Sequence, residues 1–444
     1  MTLRASLTCC LLYLAALVTS LAVAPQHALA QRPGNEETIV YTVRKGDTLI
    51  SLARSWMTRE TDWKQVQRIN RLADPHRLSI AKPLVLPVRL LKFRPATATV
   101  AAFRGDSRAS AAGGALQTVT MGQAFGEGAR VVTGPASSLS LALSDGSVIT
   151  LPSNSALRIL RLRKLLITDS IDYDLMLDNG GVRSRVSPFR NRDDRFRLRN
   201  PIAVSAVRGT DFRNHYDEQL GQARAELIEG GLAITAPAIV GETSLDAQFG
   251  AVIGKASGIA VERLLAPPVL AAGGAMQRAP ALEFVVNPVP EAQGYRLLVA
   301  RDSGFVDLVD ERLSPSPEFS VPDVPNGNYF ARFTALARSG LEGMPGTFAF
   351  KRRLATSTQG AAVGEDGYVF RWVGSGEGER RYHFQLRDER TPVLVVDEAG
   401  LSGSSIILSD LPPGRYQWRV GTTTFAPDET DTDWTDYESF TIDE

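Results

Sequence analysis

Tyr41-Thr-Val-Arg-Lys-Gly-Asp-Thr-Leu49 and, further on, Leu84-Val-Leu-Pro87 frame the stretch whose reading decides the first fold of this chain. Ile39 to Val43 is a β-branched and aromatic run of the kind a strand prefers. Gly46 permits a tight turn, and Asp47 is suited to cap the helix that follows. Leu49, Leu52, Ala53 and Trp56 recur at i, i+3, i+4 and i+7, one apolar helical face. A second helix is expected from Asp62, with Gln65 at the reciprocal capping position and Trp63, Val66 and Ile69 on its apolar face. Leu84 to Leu86, between Pro83 and Pro87, reads as a returning strand. The pattern predicts a strand-helix-helix-strand unit over residues 38–88.

These positions, with Leu52-Ala53 and Asn70-Arg-Leu72 between them, resemble a LysM module. The resemblance implies binding to N-acetylglucosamine polymers, chiefly the glycan of bacterial peptidoglycan. It implies a shallow sugar groove between two turns, here Gly46, Asp47, Thr48 and Leu49 on one side and Ile80, Ala81 and Lys82 on the other. Two departures stand out. Ala81 occupies a turn position where most LysM modules have Gly, and Thr58-Arg-Glu-Thr-Asp62 lengthens the connection between the helices. A spacer or protein-docking module is the alternative use of the same fold.

Ahead of this unit, residues 1–30 carry one positive charge (Arg4), an apolar core from Leu7 to Val23 and Ala28-Leu-Ala30 as an A-x-A cleavage site. That is the pattern of a secretory signal peptide; with the LysM resemblance it implies an exported, periplasmic protein of a Gram-negative envelope, associated with peptidoglycan. No later stretch is apolar enough to span a membrane. Both cysteines, Cys9 and Cys10, lie in the signal without a lipobox context, so disulfides and thiol catalysis are not expected in the mature chain.

Charge narrows the partners. The full chain has 49 Lys and Arg against 49 Asp and Glu, and loss of Arg4 leaves 48 against 49. That balance argues against a nucleic-acid binder. Arg183, Arg185, Arg190, Arg192, Arg195, Arg197 and Arg199 nevertheless crowd one region, while Asp428, Glu429, Asp431, Asp433, Asp436 and Glu438 crowd the C-terminal end. Alternation of Arg195, Arg197 and Arg199 with Phe196 and Leu198 predicts a strand with one wet face. The sharper alternative is a docking patch for acidic wall polymer or a partner.

From about Val100 to Thr235 the chain alternates short strands with Gly, Asp, Asn and Pro turns, and no amphipathic helix is evident. Leu139, Leu141 and Leu143 share a strand face, Asp145-Gly146 signals a hairpin, and Val148 to Leu151 returns. Leu177-Asp-Asn-Gly-Gly-Val182 reads as another hairpin turn. In Arg208-Gly209-Thr210, the glycine suits a bulge or close backbone approach. The ordered motifs LSDGSVITLPSNS, LDNGGVRSRV, AVRGTDF and LIEGGLAI resemble the FecR-type periplasmic domain, assigned to residues 97–268. The resemblance implies protein contact in cell-surface signalling, in which such domains relay an outer-membrane transporter's state to a sigma factor. The expected cleaved signal replaces the cytoplasmic arm and transmembrane helix, so direct contact with a sigma factor is not expected.

Residues 269–280, rich in Ala, Gly and Pro, read as a linker. Two all-β units follow at 281–352 and 366–444, each opening on an aromatic strand (Phe284; Phe370-Arg-Trp372) and carrying a late Gly-x-Tyr strand. Both resemble fibronectin type III-like modules. Tyr295, Tyr329, Tyr382, Tyr416 and Trp418 are expected core aromatics.

Catalytic signatures are sparse. His76, His215 and His383 lie in different units, and no H-x-x-x-H, H-E-x-x-H or cysteine cluster exists, so no metal or cofactor is expected. Gly374-Ser-Gly-Glu-Gly378 has the wrong register for a nucleophile elbow and lacks the lysine of a phosphate loop. Asp172 and Asp174 form an acidic pair best read as decorating a strand or loop. The expectation is a multidomain, mainly β, non-enzymatic protein: a βααβ LysM module, an all-β FecR-like domain and two fibronectin-like sandwiches. It binds peptidoglycan and presents its β-domains as an envelope scaffold or receptor, with an envelope or outer-membrane protein as the further partner. The alternative is an accessory regulator of cell-surface signalling.

Overall fold

The computed structural model describes residues 37–443 except 208, 238–240, 256, 272–273, 280, 354–356, 365–366, 375–378, 392 and 427–428. The export signal therefore lies outside the described residues, as do most of the Gly374–Gly378 run and part of the C-terminal acidic stretch. No helix among the described residues is long and apolar enough to cross a membrane.

The N-terminal unit has the expected order. Strand β1 (Thr38–Thr42) leads to helix α1 (Leu49–Trp56), then a short 3-10 turn (Glu60–Asp62) and helix α2 (Trp63–Ile69). Strand β2 (Pro83–Pro87) closes antiparallel on β1, with Val40 opposite Val85. Leu49, Leu52 and Ala53 are buried with Val66 against Ile39, Tyr41, Leu84 and Leu86. The capping differs from expectation. Thr48, not Asp47, caps α1: its Oγ1 accepts from the Ser51 N–H at 3.0 Å, and Ser51 Oγ accepts from the Thr48 N–H at 2.9 Å. Asp62 does not cap α2 with its side chain. It accepts instead from the Arg59 N–H at 3.1 Å, which starts the inserted 3-10 turn.

From Phe93 to Arg263 the chain is all strand and turn, and the hydrogen-bonded path closes into a barrel. Strand β3 (Ala156–Leu165) pairs antiparallel with β4 (Ile171–Arg185), which pairs in parallel with β5 (Arg195–Asn200). The Leu177–Val182 stretch is not a hairpin. β4 runs through it as one 15-residue strand, turning at Gly180 (φ +81°) to pair next with the strand Asp211–Asp217. A Cβ on Gly180 would fall 2.4 Å from the Asn154 carbonyl, so the crossing requires glycine. The Asp145-Gly146 hairpin forms as expected, with Gly146 at φ +91°. Gly209, at φ +62°, passes close to Pro188, and the strand Asp211–Asp217 follows it with a register shift at its start.

Two sandwiches complete the fold. In the first, strands Gly294–Ala300, Leu308–Ser314, Gly327–Leu336 and Gly346–Arg352 form a sheet that shares one core with the pair Leu282–Val285 and Glu318–Val321. Residues read as a linker contribute to it: Met276–Gln277 adds a parallel strand beside Lys351 and Arg352. In the second, Phe370, Trp372, Phe384 and Trp418 pack in one core, with Trp372 stacked on Phe384 and Phe370 edge to face with Trp418. All five expected core aromatics are buried. Tyr329 Oη donates to the Pro325 carbonyl at 3.0 Å, and Tyr416 Oη to the Pro412 carbonyl at 2.8 Å. This repeated tyrosine corner, four residues back in both units, ties each Gly-x-Tyr strand to the turn before it.

The arginine-rich strand is not a wet face. Its neighbours in the sheet explain why: Asp172 and Asp174 on β4 stand between Arg161 and Arg163 on β3 and Arg195, Arg197 and Arg199 on β5. Asp172 is fully buried and Asp174 nearly so, each between guanidiniums on both sides. The expectation that this acidic pair merely decorates a strand fails for the same reason. Glu37, just before β1, covers the group, accepting from Arg161 and Arg197 at 2.6 Å each. Arg192 and Arg195 also donate to the β1 carbonyls of Val40 and Thr38. Leu165, the last residue of β3, and Ile167 in the turn after it enter the core of the N-terminal unit.

A second charged joint seats the first sandwich on the barrel. Glu342 takes Arg213 at 2.9 Å and Arg296 at 3.4 Å, and its backbone N–H donates to Glu226 at 3.2 Å. Burial works to raise the Glu342 pKa, but Arg213 and Arg296 outweigh it and lower it to about 2.

Burial likewise opposes ionisation of Glu37, yet Arg161 and Arg197 hold its pKa down at about 2. A depressed carboxylate stabilises the fold fully above its unfolded value and loses that contribution as pH falls through its folded value. Hydrogen-exchange protection of β1, corrected for intrinsic rate, is expected to stay level down to about pH 4.5 and to fall between there and about pH 2. In Glu37→Gln the protection should start lower and fall less over that window.

Candidate glycan-binding site

Of the two turns expected to hold sugar, the one carrying Ile80, Ala81 and Lys82 is tied to Val43, three residues ahead of Gly46. The Ala81 N–H donates to the Val43 carbonyl at 2.8 Å, and the Val43 N–H to the Lys82 carbonyl at 3.0 Å, pinning the turn before β2 against the end of β1. Across from it, Gly46 turns at φ +91° with no atom within 4 Å of where a Cβ would stand. Asp47 is committed to structure: its Oδ2 accepts from the Arg44 N–H at 2.7 Å and from Tyr41 Oη at 2.9 Å. Burial and this partnership raise the Tyr41 pKa.

The seven expected site residues divide by exposure. Gly46, Ile80, Ala81 and Lys82 are open to solvent, Ile80 at 61%. Asp47 and Thr48 are half-buried. Leu49 is fully buried and its N–H donates to the Pro75 carbonyl at 2.9 Å, so it supports the turn from beneath. Ile80 is an exposed apolar side chain, and Lys82 two positions on is exposed and basic.

Ala81 adopts φ +65°, the left-handed conformation that favours glycine. The departure at this position therefore strains the turn without remodelling it. Asn70 was missed as a structural residue. Its side chain donates to the Val66 and Val85 carbonyls at 2.8 and 2.7 Å and accepts from the Val85 N–H at 2.7 Å, bolting α2 to β2. The signal was present: an asparagine ending a helix just before a loop has the amide to serve both backbones.

Elsewhere, no group of three His, Cys, Asp or Glu side chains that could hold a metal ion occurs among the described residues. His215 lies at the sandwich joint beside Arg224 at 2.8 Å; burial, then that guanidinium, lowers its pKa to about 4.

Comparison with known proteins agrees with these units. The LysM domain model matches residues 41–87, and the model described as FecR protein matches residues 129–233. The chain thus carries a stretch matched as a LysM domain and a stretch matched as FecR protein, followed by two β-sandwich modules. No curated protein matches. Among solved structures, a protein of Parabacteroides distasonis provisionally assigned as an anti-sigma factor is 15% identical, with a TM-score of 0.26. That match covers 30% of this chain, which spans 59% of the other. A two-domain fibronectin type III segment of chicken tenascin is 14% identical, with a TM-score of 0.23, over 40% of this chain and 99% of that one. Superpositions this loose say nothing about function.

Replacing Ala81 by Gly relieves a left-handed residue that costs roughly 1–2 kcal/mol in an L-amino acid, less glycine's greater chain entropy. Ala81→Gly is expected to stabilise the LysM unit by about 0.5–1 kcal/mol, read as a higher denaturation midpoint of that unit with the sandwiches unchanged.

Proposed function

We propose that this is a non-enzymatic periplasmic protein that binds peptidoglycan glycan through the Gly46–Thr48 and Ile80–Lys82 turns. The FecR-type barrel and sandwiches then act as a scaffold or receptor held at the wall. The observation that carries this reading is the LysM match over residues 41–87, with the Ile80–Lys82 turn held to the end of β1 and the Ile80 and Lys82 side chains exposed. The export signal at 1–30 supplies the compartment. The division into units at 38–88, 97–268, 281–352 and 366–444 belongs to the same proposal. A second reading, accessory regulation of cell-surface signalling by protein contact, is favoured by the FecR match over residues 129–233.

Co-sedimentation with purified sacculi tests the first reading. The full chain should pellet with peptidoglycan, and the Ile80→Glu/Lys82→Glu variant should bind at least about tenfold more weakly, since about 1.4 kcal/mol of lost contact suffices. Its melting should be unchanged, because both side chains are exposed. Equal pelleting of the variant would move the wall contact elsewhere, and failure of the parent to pellet would leave the signalling reading in front.

A further inference from the structure

Beside the LysM joint the barrel holds a cleft of about 410 Å³ whose chemistry the glycan reading does not use. Arg94, Lys164 and Asp169 form one wall, where Asp169 takes both cations at 2.9 and 2.6 Å. The opposing charges elsewhere in the cleft are not cancelled in this way. Among the described residues, neither the Arg190 guanidinium nor the Asp145 carboxylate has a charged partner, although both line the same space.

Each is held by its own scaffold. Asp194 accepts from the Arg190 and Asn191 N–H groups at 2.8 Å each and from the Ile171 N–H at 2.9 Å, fixing the loop that carries Arg190. Asp145 accepts from Ser147 Oγ at 2.7 Å, and that oxygen accepts in turn from the Ser187 N–H at 3.0 Å. Tyr173, 1% exposed, lines the same cleft, and its hydroxyl makes no hydrogen bond among the described residues. A buried tyrosine hydroxyl ordinarily finds a partner. Here it lines a cleft that also contains an unpaired cation and an unpaired anion.

We propose that this cleft binds the end of a short peptide carrying both a free carboxylate and a free amine. Arg190 takes the carboxylate in a charge-assisted pair, Asp145 takes the ammonium, and Tyr173 bonds a polar group between them. Equal numbers of acidic and basic side chains line the space (Asp145, Asp169 and Asp194; Arg94, Lys164 and Arg190), which disfavours a ligand of large net charge of either sign. The wall-binding reading suggests the source: the stem peptides that branch from wall glycan have this chemistry.

The test is calorimetric titration of the purified full chain with two probes. One is a diaminopimelate-containing tetrapeptide released from peptidoglycan; the other is an N-acetylglucosamine tetramer. The tetrapeptide should bind, and Arg190→Ala, Asp145→Asn and Tyr173→Phe should each weaken it about tenfold or more while leaving the tetramer's affinity unchanged. Arg190 is exposed, so its variant separates loss of contact from loss of fold. A parent chain that takes the tetramer but not the tetrapeptide, or variants that bind the tetrapeptide as the parent does, would overturn this inference and leave the glycan site intact. Tetrapeptide binding without tetramer binding would support the cleft while removing the LysM groove as the glycan contact.

Discussion

Five guanidiniums and three carboxylates sandwiched between the barrel and the LysM unit are the constraint on which the arrangement of this protein depends. Asp172 and Asp174 sit on the middle strand, so each meets an arginine strand on either side, and Glu37 closes the group from above. Burying such charges is costly unless every one is paired, and removing one partner from a buried pair typically costs about 3–5 kcal/mol. The arrangement is therefore demanding rather than merely adhesive. The β1 strand and Glu37 must lie where they do, or Arg161 and Arg197 lose a carboxylate partner in a half-buried site. Cations outnumber anions here, and burial, with Arg197 beside it, lowers the Arg195 pKa accordingly. Arg195 relieves some of that surplus by donating to the Thr38 carbonyl.

Much of the fold was legible because its signals are local. The helical spacing of Leu49, Leu52 and Ala53, the Asp145-Gly146 turn and the recurrent Gly-x-Tyr strands each depend on neighbours within a few residues. The errors share a different cause. Reading Arg195, Arg197 and Arg199 as solvated followed correctly from alternation, which shows which residues share a face but not what covers that face. The covering residue, Glu37, lies 160 positions from Arg197. The D-x-D and R-x-R pairs at 172–174 and 161–163 carried the missing hint, since matching alternation on strands adjacent in a sheet aligns opposite charges. The mistaken hairpin at Leu177–Val182 came from reading two glycines as a turn, where they let one strand pass between sheets. The capping error was smaller: Thr48 and Asp47 both suit the position, and the Arg44 N–H and Tyr41 hydroxyl draw Asp47 away.

At the candidate glycan site the seven residues named from the sequence differ in exposure and in what they hold. Ile80 and Lys82 are presented, Leu49 supports, and Ala81 bears backbone strain that most LysM modules avoid with glycine. The same joint that seats this module places it beside the barrel cleft, so the sugar-facing turns and the candidate peptide site belong to one body. The Glu342 joint extends that body to the first sandwich. A protein built this way holds its LysM unit and its barrel at a set orientation instead of joining them by a flexible tether.

That claim is open to direct measurement by the distance between two spin labels, at Ile69→Cys on α2 and Val261→Cys on the barrel. Both positions are exposed, and the chain's own cysteines, Cys9 and Cys10, lie in the expected export signal. A single narrow distance distribution that broadens in Glu37→Ala is the predicted result. A broad distribution in the parent protein, unchanged by Glu37→Ala, would contradict a charge-locked joint.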